Sequence, residues 1–219
     1  MIMSTTSAAP VPEDADLVTA VLGGDKAAYE TLVRRHNQRL FRAARAIVRD
    51  DDEAEDVVQQ VWVAAYQGLA GFRGESALTT WLTRIVVNEA LARRRRQKKG
   101  EHLALIDEEA RAVTDGRTPE EEAAAGELGR LLEAHIDRLP DIYREVLVLR
   151  DVEEMTTAET AACLGVSEET VRVRLHRARR ELQGSLSEAV GSSLPNAFRF
   201  AGARCDRIAA HVMAAIDRG

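Results

Sequence analysis

Between Met155 and Val171 the chain leaves itself little conformational choice. Thr156 and Glu159 stand at the spacing of a capping box, Gly165 can take the positive φ of a tight turn, and Ser167 is a good N-cap for a second helix. Val166 and Val171 occupy the two positions of a hydrophobic staple, and Ala161 is small enough to let two helices cross closely. The string therefore predicts two short helices about a sharp turn. On the second helix Val171, Leu175, Ala178 and Leu182 fall in one narrow sector, and no acid interrupts positions 170 to 180. Arg172, His176, Arg179 and Arg180 flank that sector, and Arg174 and Arg177 widen the basic surface. A helix of this kind, entered through Ser167 and Thr170, fits the major groove of DNA, where arginines bind guanine edges or phosphates. The plainer alternative is a solvated basic face.

The remainder of the chain is patterned for helices. Apolar residues recur at spacings of three and four from near Asp16 through Ala27 to Val48, predicting one long helix. After the charged break at Arg49 to Asp52, a second helix is expected from Glu53 to Gln67, with Val57, Val58, Val61, Trp62 and Ala65 inward and an acidic, amide-rich outer face. A glycine-marked loop leads into a third, Ser76 to Arg96, whose apolar stripe of Leu78, Trp81, Leu82, Ile85 and Val86 gives way to arginines. A further helix should stop near Pro140, and the next runs from Tyr143 to Arg150. Only nine of 219 residues are aromatic, and Ala, Leu, Val, Arg and Glu dominate, so the expected fold class is all-α. Trp62 and Trp81 lie on apolar stripes and read first as core.

The net charge of −6 conceals opposed segments: seven basic residues and one acid between Arg84 and Lys99, then nine acids and two arginines between Gly100 and Glu127. The acidic stretch reads as a linker, expected to reduce nonspecific DNA binding by covering the basic surface. Cys163 and Cys205 suit neither a disulfide scaffold nor a metal cluster, and Cys163 is expected to pack inside the helix-turn-helix. With no signal-peptide pattern and no run approaching ~18 apolar residues, the expectation is a cytoplasmic chain with no membrane insertion and about a dozen frayed N-terminal residues. No glycine-rich phosphate loop or nucleophile–base motif supports an enzyme; Cys205 with His211 is the nearest pair, and a packed cysteine is the simpler account. No cofactor, metal or small-molecule substrate is expected.

Several strings, taken in order, resemble the extracytoplasmic-function sigma factors of bacterial RNA polymerase over residues 16 to 183. Glu55 to Trp62 is similar to that family's polymerase-docking helix. Phe72 to Leu82 looks like its loop and helix start at the opened minus-ten element, with Asn88 and the Leu139-Pro140 pair also matching, and Val171 to Arg179 looks like its minus-thirty-five reading helix. The resemblance implies two small helical domains joined by a flexible linker: a region 2 domain at 16–99, a linker at 100–126 and a region 4 domain at 127–184. Outside the match lie a disordered 1–15 and a C-terminal extension at 185–219. It implies no catalytic residues. The implied partners are core RNA polymerase, promoter DNA and an anti-sigma factor.

The resemblance also assigns roles to single residues. Glu53, Asp56, Gln59 and Gln60 would meet the polymerase; Phe72, Arg73, Ser76, Trp81, Arg84, Asn88, Arg93 and Arg94 would meet the minus-ten region; Ser167, Thr170, Arg172, Arg174, His176, Arg177 and Arg180 would meet the minus-thirty-five element. A ligand-sensing regulator with a similar C-terminal motif is the competing reading, and the N-terminal strings disfavour it. The tail, with Phe198, Phe200 and a last helix from Gly202 to Asp217, is expected to pack on the second domain; a polymerase or DNA contact and a regulator-docking element are the alternatives.

Overall fold

The computed structural model describes residues 12–104, 129, 132–185 and 202–217. The expected frayed N-terminus, the acidic linker beyond residue 104 with its covering role, and Phe198 and Phe200 lie outside the described residues. Among those described the regular structure is helical, with no strand.

The first domain comprises α1 (Asp14–Leu22), α2 (Lys26–Val48), α3 (Asp51–Gly68), a single 3-10 turn (Leu69–Gly71) and α4 (Leu78–Ala104). The periodicity that predicts one long helix from Asp16 to Val48 is broken in the structure. Gly24 turns the chain at φ 96°, and the Asp25 carboxylate accepts from the backbone N–H of Ala27 (2.9 Å) and Ala28 (3.2 Å), ending α1 and starting α2. Asp50 caps α3 through the N–H of Glu53 (2.8 Å), and Asp51, Asp52 and Glu53 sit at the positive end of that helix dipole. Tyr29, Leu32, Val33, Phe41, Val57, Val61, Trp62, Leu82 and Val86 fill the space between α2, α3 and α4. Trp62 is a core residue whose indole donates to Asn37 Oδ1 (2.6 Å), while its carbonyl accepts from Tyr29 Oη (2.5 Å). Both buried polar edges are thereby satisfied.

The second domain comprises α5 (132–138), α6 (Asp141–Leu147), a π-helical turn (Val148–Val152), α7 (Thr157–Leu164) and α8 (Glu168–Ser185). Its core is Leu132, Ile136, Val146, Leu147, Val148, Val171, Leu175, Ala178 and Leu182. The motif forms as its residues predict. Thr156 and Glu159 make both hydrogen bonds of the capping box, Gly165 sits at φ 65° in the left-handed region, and Ser167 Oγ accepts from the N–H of Thr170 (3.1 Å).

The two domains close on one another through contacts that the sequence pattern does not announce. Arg45 grips Asp137 with both terminal nitrogens (3.0 and 2.7 Å) while its Nε holds Asp51 (2.5 Å). Arg94 meets Glu145 (2.5 Å) and Asp141 (3.4 Å), and Arg144 Nε donates to the carbonyl of Ala46 in α2 (2.7 Å). Glu159 binds across the gap as well, accepting from Thr80 Oγ1 at 2.6 Å. Hydrogen bonds from Thr80 and Thr156 hold its carboxyl below the ordinary glutamate range. Cys163, expected inside the helix-turn-helix, instead joins Leu149 and Met155 in the core of the first domain.

Glu153 makes this closure sensitive to pH. It is buried beside Arg39 (3.3 Å) and Arg42 (3.5 Å) of α2, and desolvation outweighs both cations, raising its pKa from 4.5 to about 7. A carboxyl raised in the closed fold keeps a proton that the solvated group has lost between those values. The carboxyl's contribution is therefore fully present below pH 4.5 and is lost as pH rises through about 7. The expected slope is at most about 1.4 kcal/mol per pH unit. Denaturant midpoints compared between pH 5 and pH 8 should show that slope in the wild type and lose it in Glu153→Gln; parallel profiles would refute the assignment.

The C-terminal helix α9 (Gly202–Asp217) does not pack on the second domain. It lies along α2 and α3 of the first, burying Ile208, Ala209 and Val212. Its charged residues find counterparts there: Arg207 pairs with Glu55 (3.0 Å), and Asp206 with Arg34 (2.5 Å). The expectation of packing on the second domain is corrected accordingly.

Candidate nucleic-acid interface

Three surfaces gather the residues singled out in the sequence. The first is α8. The buried sector Val171, Leu175, Ala178 and Leu182 fixes its rotation, so that Arg172, His176, Arg177 and Arg180 point outward and Arg174 is half-buried. Ser167 and Thr170 join their hydroxyls at 2.8 Å at its N-terminus, the end that enters a groove in helix-turn-helix docking. Arg179 is held differently, gripping Asp151 of the π turn with two nitrogens (2.8 and 2.6 Å). That clamp orients the helix. Val173, 44% exposed between two arginines, is a further outward residue that the arginine pattern does not mark; an apolar side chain there can meet a thymine methyl. Its signal was available: a valine outside the apolar sector of an otherwise basic helix.

The second surface spans the loop before α4 and the outer face of that helix. Gly74 turns the loop at φ 69°, leaving Arg73 and Ser76 exposed. Phe72 and Trp81 are half-buried and packed ring on ring, centroids 5.3 Å apart and planes tilted 48°. The pair is both a small local core and an aromatic edge on which an unstacked base can lie. Arg84 and Asn88 come next outward on α4. Arg93 and Arg94 are engaged within the protein. Arg93 pairs with Glu53 and Asp56 of α3, and Arg94 reaches the second domain through Glu145 and Asp141. Between Arg93 and Gln97 the outward cations are Arg95 and Arg96, the latter also pairing with Glu89 at 2.7 Å.

The third surface is the outer face of α3. Asp56, Gln59 and Gln60 line an open groove of about 430 Å³ with Val63, Ala64, Gln67 and, from α9, His211. Glu53 lies at its N-terminal end, tied to Arg93. Among the described residues no group of His, Cys, Asp and Glu is arranged to hold a metal ion, and no helix is long and apolar enough to cross a membrane.

The chain as a whole is similar to known proteins. The family model described as Sigma-70 region 2 matches residues 32–100, and the model for Sigma-70 region 4 matches residues 129–182. The ECF RNA polymerase sigma factor SigM of Mycobacterium tuberculosis is 38% identical over 169 residues, covering 77% of this chain and 82% of the relative. The RNA polymerase sigma-H factor of Pseudomonas aeruginosa is 33% identical, covering 80% and 94%. Among solved structures, CnrH in complex with the cytosolic domain of CnrY aligns with a TM-score of 0.54 at 30% identity, covering 78% of this chain and 95% of that one. The sigma factor RpoE of Bartonella quintana, in complex with the anti-sigma factor NepR, shares the fold at a TM-score of 0.55 and 24% identity, covering 73% and 94%.

Proposed function

The chain belongs to the extracytoplasmic-function sigma factors of the sigma-70 family, and from that premise we propose how its surfaces divide the work of starting transcription. As an alternative sigma factor it directs RNA polymerase to particular promoters. The observation that carries the division of labour is the exposed arginine face of α8, held outward by a buried apolar sector and by the clamp of Arg179 on Asp151. Arg172, Arg174, His176, Arg177 and Arg180, with Ser167 and Thr170 at the helix start, read the minus-thirty-five element. Bidentate arginines supply base discrimination there, and the remaining contacts hold phosphate.

Phe72, Arg73, Ser76, Trp81, Arg84 and Asn88 receive the minus-ten region, the aromatic pair stacking on bases freed from the duplex. Arg93 and Arg94 join them once the partner acids release them. Glu53, Asp56, Gln59 and Gln60 dock on core polymerase, where charge sets register and encounter rate. The protein acts by placing polymerase rather than by chemistry of its own, and it works in the cytoplasm. An anti-sigma factor holds it inactive, as NepR is bound to RpoE in the solved complex.

The docking assignment predicts that Asp56→Arg weakens binding to core polymerase about tenfold, an effect larger at low salt, with helical content unchanged. Anisotropy titration of the labelled protein with core enzyme measures it. Unchanged affinity would move the docking face elsewhere.

A further inference from the structure

Four carboxylates of α3, two of them on the docking face and two beside it under α9, already have cations. Glu53 and Asp56 pair with Arg93; Asp51 pairs with Arg45 and with Arg204 of α9; Glu55 pairs with Arg207 of α9 at 3.0 Å. Gln59 Nε2 donates to the same Glu55 (3.3 Å), so the α9 arginine and a docking amide share one carboxylate. The helix α9 reaches the docking groove directly as well. His211 of α9 forms part of the groove wall whose other lining residues include Asp56, Gln59 and Gln60.

The attachment of α9 is specific. Ile208, Ala209 and Val212 are fully buried against α2 and α3, and the Arg204 guanidinium lies 4.3 Å from the centroid of the Phe41 ring. Lys26 with Asp217 (2.5 Å) and Arg34 with Asp206 (2.5 Å) fasten the flanks. It is also a small attachment, one helix of 16 residues that draws its stability mainly from the packing of its amphipathic face. Being joined to the same chain, it holds the site by effective concentration, and a larger partner can displace it.

We propose that α9 is a built-in competitor for the polymerase-docking face: an amphipathic, arginine-bearing helix that occupies the α2–α3 surface and must leave before core polymerase seats fully on Asp56, Gln59 and Gln60. The proposal rests on the docking assignment above and adds to it that free protein is self-masked. A site open only part of the time binds with its affinity reduced by the open fraction. Releasing the mask restores the full value.

The test uses the full-length chain. Ile208→Asp/Val212→Asp keeps α9 but makes its buried face incompatible with docking; binding to core polymerase should tighten roughly tenfold if the site is open about a tenth of the time. Arg207→Glu, a surface change that leaves the apolar contact in place, should tighten it about threefold. Far-ultraviolet circular dichroism and the thermal unfolding of both variants establish that the two domains stay folded. Unchanged affinity in both variants overturns the proposal, and so does weakened affinity, which would make α9 part of the polymerase contact. Asp56→Arg separates the two layers: loss there with no gain from the α9 variants sinks the mask alone. A gain from the α9 variants with no loss from Asp56→Arg places the mask over some other surface and overturns both.

Discussion

Replacing Arg144 with leucine should lower the free energy of unfolding by about 3 to 5 kcal/mol, the range found when one partner of a buried charged network is removed. Arg144 is fully buried, with 0% of its surface exposed. Its Nη1 donates to the carbonyl of Leu139 (2.9 Å), its Nε to the carbonyl of Ala46 (2.7 Å) and its Nη2 to Asp141 (2.8 Å). Leu139 comes just after the last turn of α5, and Ala46 is in the last turn of α2, where helix carbonyls run out of N–H partners and carry the negative end of the dipole. One guanidinium thus closes two helix ends that belong to different domains. Desolvation pulls its pKa down from the usual arginine value, and the Asp141 hydrogen bond works against that fall. Leucine would leave both carbonyls without their donor in a dry place, and would take from Asp141 its shortest cation contact. Urea unfolding measures the loss. Arg144→Lys, with a single point of charge in place of a fork, should recover only part of it. If Arg144→Leu were as stable as the wild type, the interdomain network would be ornamental to the fold.

The same residues explain what could and could not be read in advance. The helix-turn-helix was legible because every determinant is local: Thr156, Glu159, Gly165 and Ser167 act on backbone groups within four positions, and the buried sector of α8 repeats at helical spacing. Even the outward set of Arg172, His176, Arg177 and Arg180 derives from that spacing. The break at Gly24 and Asp25 was missed because the apolar periodicity continues across it, so the pattern alone reports one helix where a turn has been inserted.

Long-range pairing was illegible for a different reason. Arg45 and Asp137 are 92 positions apart, and Thr80 and Glu159 are 79 apart; nothing in either neighbourhood marks the other as its partner. Arg93 and Arg94 sit in a basic run and read as cations facing solvent or phosphate, yet each points at an acid of another helix. The burial of Cys163 follows from its place in α7, but which core receives it does not, since an apolar cysteine there can face either one. Likewise α9 was legible as an amphipathic helix, while the surface that receives it is set by Glu55, Asp51 and Arg34, all more than 150 positions away.

The second large effect concerns sequence reading. Arg172 and Arg177 lie on the exposed face of α8 with light internal engagement: Arg172 reaches Glu168 at 3.4 Å and Arg177 reaches Tyr143 Oη at 3.5 Å. Such contacts at the surface are worth little and cede readily to a base or phosphate. An arginine bidentate to guanine is worth about 1 to 3 kcal/mol of discrimination, so removing both should reduce initiation at a cognate promoter about a hundredfold. Neither substitution touches the buried sector, so stability and polymerase affinity should hold. Truncating cations in the Arg95 to Lys99 run, by contrast, should weaken binding to all DNA alike and flatten the salt dependence.

Run-off transcription from a library of genomic promoters, with core RNA polymerase and with or without this protein, tests the central claim most directly. The account predicts discrete start sites that depend on the protein and vanish with Arg172→Ala/Arg177→Ala, while the variant still binds core polymerase. Start sites that persist unchanged in that variant, or none with the wild-type chain although it binds duplex DNA by itself, would contradict it.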